Sequence, residues 1–258
     1  MGSARDRLIH LIERSGGQIE EGLFVTRPGC LVLAETRVTD EADALFGSLH
    51  IDQERPPYEQ LGEFNARITY LSFADEPRPA GAYNEAMARK HQHLSVYGAL
   101  HVTMLLAGLS VETSLELCAH REARVARLTT SRTRAMDEPL YRVTGDESER
   151  AWQRDVVREL GAVRARVVAG GDPRERLPDG REQFNRLDAG ARATALTYTM
   201  SIKDFHTLFI GRLPEGGNEA EVREVCGLMC EQLAARYPLV IRTPAEYAAM
   251  SNGQKYGG

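Results

Sequence analysis

One stretch constrains the chain more than any other: Leu100 to Ala107, LHVTMLLA. It is far shorter than the roughly 20 apolar residues a membrane span needs, and it reads as a largely buried strand. A strand of that kind exists only inside a packed core. Gly108 is expected to turn it, and Ser110 is a good N-cap for a helix running to about Leu128. Along that helix Val111, Leu115, Cys118, Val125 and Leu128 recur at steps of three, four and seven, while His120, Arg121, Arg124 and Arg127 lie mostly elsewhere.

The flanking sequence supplies further elements. MGSARDRLIHLIERSGG reads as an amphipathic helix with Leu8, Ile9, Leu11 and Ile12 on its greasy side. Leu23 to Val38 is rich in β-formers around Pro28-Gly29, which predicts a short hairpin. Asp52 to Pro57 is a loop, and Ala66 to Phe73 (ARITYLSF) is a second strand candidate closed by the breakers of DEPRPAG. A helix follows from Ala82 to His93. A long helix from about Glu147 to Ala169 is expected to bury Trp152, Val156, Leu160, Val163 and Val167, and Gly170-Gly171 ends it. Asp172 to Gln183 is a charged loop. Ser201 and Asp204 form a capping box that opens a helix bearing Phe205, Leu208 and Phe209. Asn218 caps the last good helix, which reaches about Arg236, since Pro238 forbids continuation. Helices mixed with a few strands, without strict alternation, define an α+β class and one domain over residues 1–258.

Charge narrows the function. A net charge of −5 argues against a nucleic-acid polymer as partner, because phosphate backbones demand surplus cations. No apolar run is long enough for a membrane, and the N-terminus lacks the apolar core of a secretion signal. Cys30, Cys118, Cys226 and Cys230 show no CxxC pairing, which suits a reduced, cytoplasmic protein.

Three groups of residues have chemical potential. Arg121, Arg124, Arg127, Arg132, Arg134 and Arg142 crowd a stretch with few acids, and Leu128 to Arg132 (LTTSR) adds hydroxyl and backbone donors. Guanidinium forks and such a turn suit a phosphate, although a solvated helix face followed by a loop reads the same way. Arg212 ends an otherwise apolar helix, where a cation also complements the helix dipole by roughly 0.3–1 kcal/mol. His91, His93 and His101 have no partners at zinc-like spacing, so no metal site is expected. Cys226 and Cys230, one turn apart beside Val222 and Met229, read as core thiols. No nucleophile elbow, Walker loop or strand-anchored GxGxxG is present.

The order of these landmarks resembles the flavin-dependent thymidylate synthases (ThyX) from about Asn65 to Pro238. ARITY at 66–70 corresponds to that family's ARVSF-like strand, and HLSVYGALHVTM at 93–104 to its GHxSxxEH stretch. AHREARVARLTTSR, from Ala119 to Arg132, stands where the signature RHRxxSxNExSxRY falls. SIKDFHTLFIGRLPEGGNEAEVREV (201–225) matches the helix that ends in a substrate-binding arginine and the acidic helix after it. The signature is eroded. Ala119 replaces its first arginine, and Ala126 and Arg127 stand where the family has Asn-Glu. Arg132 takes the place of the signature arginine only with one residue inserted, a register that Tyr141 supports.

The resemblance implies a ThyX-like domain with a small, mainly antiparallel sheet flanked by helices, assembling as a homotetramer with active sites shared between subunits. Residues 1–60 are a divergent N-terminal portion. It implies that Arg132, with Thr129 and Ser131, holds the 5′-phosphate of a uridine monophosphate, with Arg186 (or Arg192) as second phosphate contact. Arg212 would reach the pyrimidine, and Glu116 stands where the family has a glutamine near the base. Thr69, Ser95, His120, Arg121, Ser201, Lys203 and Thr207 would line an FAD site. The implied reaction is C5-methylation with 5,10-methylenetetrahydrofolate as carbon donor and NADPH as reductant. Loss of the Asn-Glu pair favours the branch that methylates UMP or dUMP in nucleoside-antibiotic pathways. Two other outcomes fit an eroded signature: a non-catalytic nucleotide- or flavin-binding relative, and a hydroxymethylase.

Overall fold

The computed structural model describes residues 3–70, 72, 82–90, 92–128, 139–170, 190–214 and 219–250, without the side chains of residues 70 and 163–170. In chain order these form α1 (Ala4–Arg14), β1 (Gln18–Glu20), β2 (Phe24–Arg27), β3 (Gly29–Glu35), α2 (Asp40–Ser48), α3 (Pro57–Tyr70) and α4 (Ala82–Glu85). A π-helical turn (Ala86–Lys90) and a 3-10 turn (Leu94–Tyr97) lead into β4 (His101–Ser110), α5 (Val111–Cys118), β5 (Arg124–Arg127), β6 (Tyr141–Arg142) and α6 (Glu147–Gly170). Then come β7 (Ala193–Ser201), α7 (Ile202–Arg212), α8 (Ala220–Arg236) and α9 (Pro244–Ala248). One sheet has the order β1-β2-β6 and the other β3-β4-β7-β5. The β1–β2 pair is antiparallel and β2–β6 parallel. The mixture is α+β. Among the described residues no helix is long and apolar enough to cross a membrane.

The chain divides into two compact units. The first comprises Met1–Leu31, Leu105–Tyr198 and Glu219–Val225, and the second Val32–Met104, Thr199–Asn218 and Cys226–Gly258. In the first, α1 is opened by a capping box between Ser3 and Asp6 and buries Leu8 and Ile12 against Val25, Ala107, Leu140, Ala193 and Ala195. Gly108 does not turn β4. It lies within the strand at φ +85°, and a Cβ there would come within 2.8 Å of Val25 Cγ1. Close approach and backbone conformation together demand glycine. Only at Ser110, whose hydroxyl accepts from the Thr113 amide, does the chain turn into α5.

In the second unit, Pro57 stands at the start of α3, where its missing N–H costs nothing. Tyr58, Gly62 and Ala66 recur every fourth residue on its buried face. A Cβ on Gly62 would sit 2.4 Å from the Tyr97 ring, so the helix and the 3-10 turn pack face to face. Cys226, Met229, Cys230 and Leu233 of α8, Phe205 and Phe209 of α7, and Tyr247 of α9 are buried.

Several expectations fail for tertiary reasons. The described part of the 66–73 candidate is not a strand: Ala66–Tyr70 is the last turn of α3, tied by the Glu63–Arg67 ion pair, and Ile68 and Thr69 face solvent, where their β-preference has nothing to pack on, while Leu71 and Phe73 lie outside the described residues. Leu23 to Val38 is not a hairpin. At Gly29 the backbone passes hard against Ser15, the Cys30 amide donates to the Ser15 carbonyl (2.8 Å), and β2 and β3 join different sheets. The helix after Ser110 ends at Cys118 rather than Leu128. Arg124–Arg127 alternates exposed and half-buried residues as β5, and the Leu128 amide then donates to the Ala195 carbonyl (2.8 Å). In α6, Trp152 is 68% exposed and Val156 and Leu160 over a third exposed; Val157 is the buried contact instead. Val163, Val167 and the Asn218 cap lie outside the described side chains and residues.

Candidate functional site

The arginine-rich stretch is not one surface. Arg142 is 3% exposed; its Nη1 donates to the carbonyls of Val25 (2.9 Å) and Val143 (2.5 Å), its Nη2 pairs with Glu224, and its Nε lies 3.4 Å from Glu221. Glu221 in turn accepts from the Ser110 amide at 2.7 Å, so one buried network joins β6, α8 and the start of α5. Burial raises the Glu224 pKa, and the Arg142 guanidinium offsets only part of that rise. Arg127 reaches the buried Ser114 hydroxyl (3.2 Å), and Arg124 closes the preceding turn onto the Arg121 carbonyl (3.3 Å). Three of the six arginines are thus spent on the fold. Arg132 and Arg134, with Thr129, Ser131 and the candidate phosphate contact Arg186, lie outside the described residues; Arg192 is described, bridged to Tyr141 just before β7.

What remains of the expected site falls into two groups. In the first unit, Glu116, His120 and Arg121 cluster where α5 ends: Glu116 in its last turn, His120 and Arg121 in the turn that follows. In the second, the 3-10 turn touches both α3 and α7. Its Ser95 is exposed, as is Thr69 on α3, whose hydroxyl donates to the Asn65 carbonyl at 2.8 Å. Lys203 and Thr207 stand one turn apart on the exposed side of α7, the Thr207 hydroxyl bonded to the Lys203 carbonyl (3.2 Å). Arg212, half-buried, closes the last turn of that helix. Ser201 is different. It is 2% exposed, and its hydroxyl caps α7 by accepting from the Asp204 amide (3.1 Å) and donating to the Asp204 carboxylate (2.5 Å), so it is committed to the fold.

Sequence reasoning overlooked His206 on the same helix. Its Nδ1 lies 2.6 Å from the Tyr247 hydroxyl, which also accepts from the Arg242 amide (3.3 Å). The phenol can donate to Nδ1 or accept from it, as the ring tautomer dictates. Burial, with Arg242 nearby, lowers its pKa to about 4. Tyr247 is 41 residues away in sequence, so no local signal marks the pair. Cys226 and Cys230 are core thiols as expected, and burial pushes the Cys230 thiol up to about 12.

No family model matches the chain, and neither does any curated protein sequence. Solved structures do. The flavin-dependent thymidylate synthase ThyX of Helicobacter pylori, crystallised with FAD and dUMP, is similar with a TM-score of 0.57 at 13% identity, over 86% of this chain and 99% of that one. A second crystal structure of that enzyme, also with FAD and dUMP, gives 0.56 at 13% over 83% and 97%. The chain has the ThyX fold. The UMP/dUMP methylase PolB of Streptomyces cacaoi, bound with 5-Br dUMP, shares it with a TM-score of 0.55 at 18% identity, over 84% and 94% of the two chains. A ThyX likeness spanning 86% of the chain reaches beyond the stretch from Asn65 to Pro238 that carries the sequence motifs.

Proposed function

We propose that this chain is a flavin-dependent C5-methylase of a uridine monophosphate, UMP or dUMP. The observation that carries the reading is the likeness to ThyX over nearly the whole of that enzyme, with Arg212 at the end of α7 where the resembling sequence has its substrate arginine. The donor set suits FAD. In the second unit Lys203, Thr207, Thr69 and Ser95 offer an ammonium and three hydroxyls on exposed faces; in the first, His120 and Arg121 carry an imidazole and a guanidinium. Ser201 is the exception, since its hydroxyl is buried and both donates and accepts within the cap, whereas the exposed Thr69 and Thr207 hydroxyls only donate, each to a carbonyl of its own helix. FAD, when bound, supplies the hydride that completes the methyl group.

The chain's own part is binding and polarisation. Arg132, Thr129 and Ser131 hold the 5′-phosphate, with Arg186 as a second contact, and Glu116 lies by the base. The Arg212 guanidinium stabilises negative charge that develops on the uracil oxygens as C5 becomes nucleophilic. A preorganised cation used this way is worth about 3–4 kcal/mol. Methylenetetrahydrofolate brings the carbon and NADPH the reducing equivalents, as co-substrates. No thiol is required. Cys30, Cys226 and Cys230 are buried, and the exposed Cys118 lacks the Pro-Cys context of the thiol-dependent enzymes. Assembly as a homotetramer in the cytoplasm, and preference for the UMP/dUMP branch over dTMP supply, belong to the same proposal.

Incubation with FAD, NADPH, methylenetetrahydrofolate and either UMP or dUMP, followed by mass analysis of the nucleotide, tests it. The expected product carries one added methyl group. An added hydroxymethyl group, or unchanged nucleotide from protein that retains FAD, contradicts it.

A further inference from the structure

The second unit contains a cavity of about 530 Å³. It is walled by the π-helical turn, by the flank of α7 that bears His206 and Ile210, and by Pro238 to Thr243 beyond α8. None of the residues assigned a role in methylation lines it. Its chemistry is two-sided. Ile210, Leu239 and Met250 offer apolar surface, while Arg89 and Arg242 bring two guanidiniums to the same space.

The fold fixes the backbone of one of these arginines and one arm of the other. The Arg242 backbone is held at both ends: its amide donates to the Tyr247 hydroxyl (3.3 Å) and its carbonyl accepts from the Cys230 thiol (3.2 Å). Arg89 is steadied by one bond from Nη2 to the Pro238 carbonyl (3.4 Å). Among the described residues neither guanidinium forms an ion pair. The one acid in the lining, Glu246, is occupied as the capping box of α9, where one carboxylate oxygen takes both the amide and the hydroxyl of Thr243 at 2.8 Å each. Burial lowers the pKa of His206 to about 4, so near neutral pH the ring, bonded to Tyr247, adds shape without charge. Two cations facing one committed carboxylate leave the cavity net positive, and a concave apolar wall with a few convergent polar groups is what small-molecule sites are made of.

We propose that this cavity binds a small amphipathic anion, its carboxylate, sulfonate or phosphate head held by Arg89 and Arg242 and its apolar body laid against Ile210, Leu239 and Met250. Pinning the Arg242 backbone reduces the ordering cost of that grip.

Calorimetric titration of the full-length protein with anilinonaphthalene sulfonate tests the proposal. The expected result is saturable binding of one molecule per chain, unchanged by saturating UMP or dUMP and competed by octanoate. Losing a hydrogen bond to a charged group weakens binding about tenfold, so R89Q and R242Q should each show that loss and the double variant a greater one. Both arginines are exposed, so the variants are expected to fold, and unchanged circular dichroism and thermal midpoint check this. Phenylnaphthylamine, the same body without the sulfonate, should bind more weakly. Equal affinity for the two probes, sulfonate binding that survives the double substitution, displacement by the uridine nucleotide, or no saturable binding each overturns the proposal.

Discussion

Arg142 and Arg242 carry the same charge in opposite circumstances. Arg142 is buried on β6 among two carboxylates and two carbonyls, whereas Arg242 is exposed beside a cavity, with only its backbone held. What separates a structural cation from a binding cation is therefore the acceptors that the fold brings to it. Density of arginine along the sequence does not decide the matter: the crowded stretch donates Arg142, Arg127 and Arg124 to the architecture.

Breaking the buried member should have the largest effect. Arg142→Ala leaves Glu221 and Glu224 without their shared partner and the Val25 and Val143 carbonyls without a donor. A loss of about 3–5 kcal/mol is expected from removing one side of a buried ion pair, read as a lower midpoint in urea denaturation. A change under about 1 kcal/mol would place the network among ordinary surface pairs.

Acid should act next, through the hub that holds Arg242. The folded pKa of His206 is lowered from 6.5 to about 4, so between those values the unfolded chain binds the proton that the native state refuses. Stability from this group is complete above pH 6.5, falls as the pH drops, and is exhausted near pH 4. The shift corresponds to about 3 kcal/mol at most. Replacing His206 by Gln should flatten that portion of a stability-against-pH curve, and an identical curve in both proteins would contradict the assignment. The smallest effect is expected from Arg242→Gln, which should alter stability by no more than about 0.5 kcal/mol, as surface substitutions do. A larger loss in thermal unfolding would mean that the guanidinium is as structural as that of Arg142.

The same contrast explains what could be read from the sequence. The strand at 100–107, the length of α6, the Ser110 and Ser201 caps and the stop before Pro238 are written locally, in hydrophobic runs and capping residues a few positions apart. Features decided at long range were not legible. The acid partners of Arg142 stand 79 and 82 residues away at Glu221 and Glu224, and β2 leaves its apparent hairpin partner for β1 and β6. ITYLSF has strand-like composition, but Ala66 and Arg67 are anchored in a helix begun by Pro57. The ThyX fold was legible through the order of motifs from 66 to 225, including a helix that ends in Arg212. Ser201 shows the limit of that route, because a position carried over as a cofactor contact proves to be a cap.

The central claim is that a guanidinium, with no protein thiol, readies the pyrimidine. Turnover of UMP and dUMP by Arg212→Ala beside Cys118→Ser measures this directly, with the thermal midpoints of both held against the parent. The account predicts a fall of about 10²–10³-fold in the arginine variant and parental turnover in the cysteine variant. Parental turnover in the arginine variant, or its loss in the cysteine variant, would contradict it.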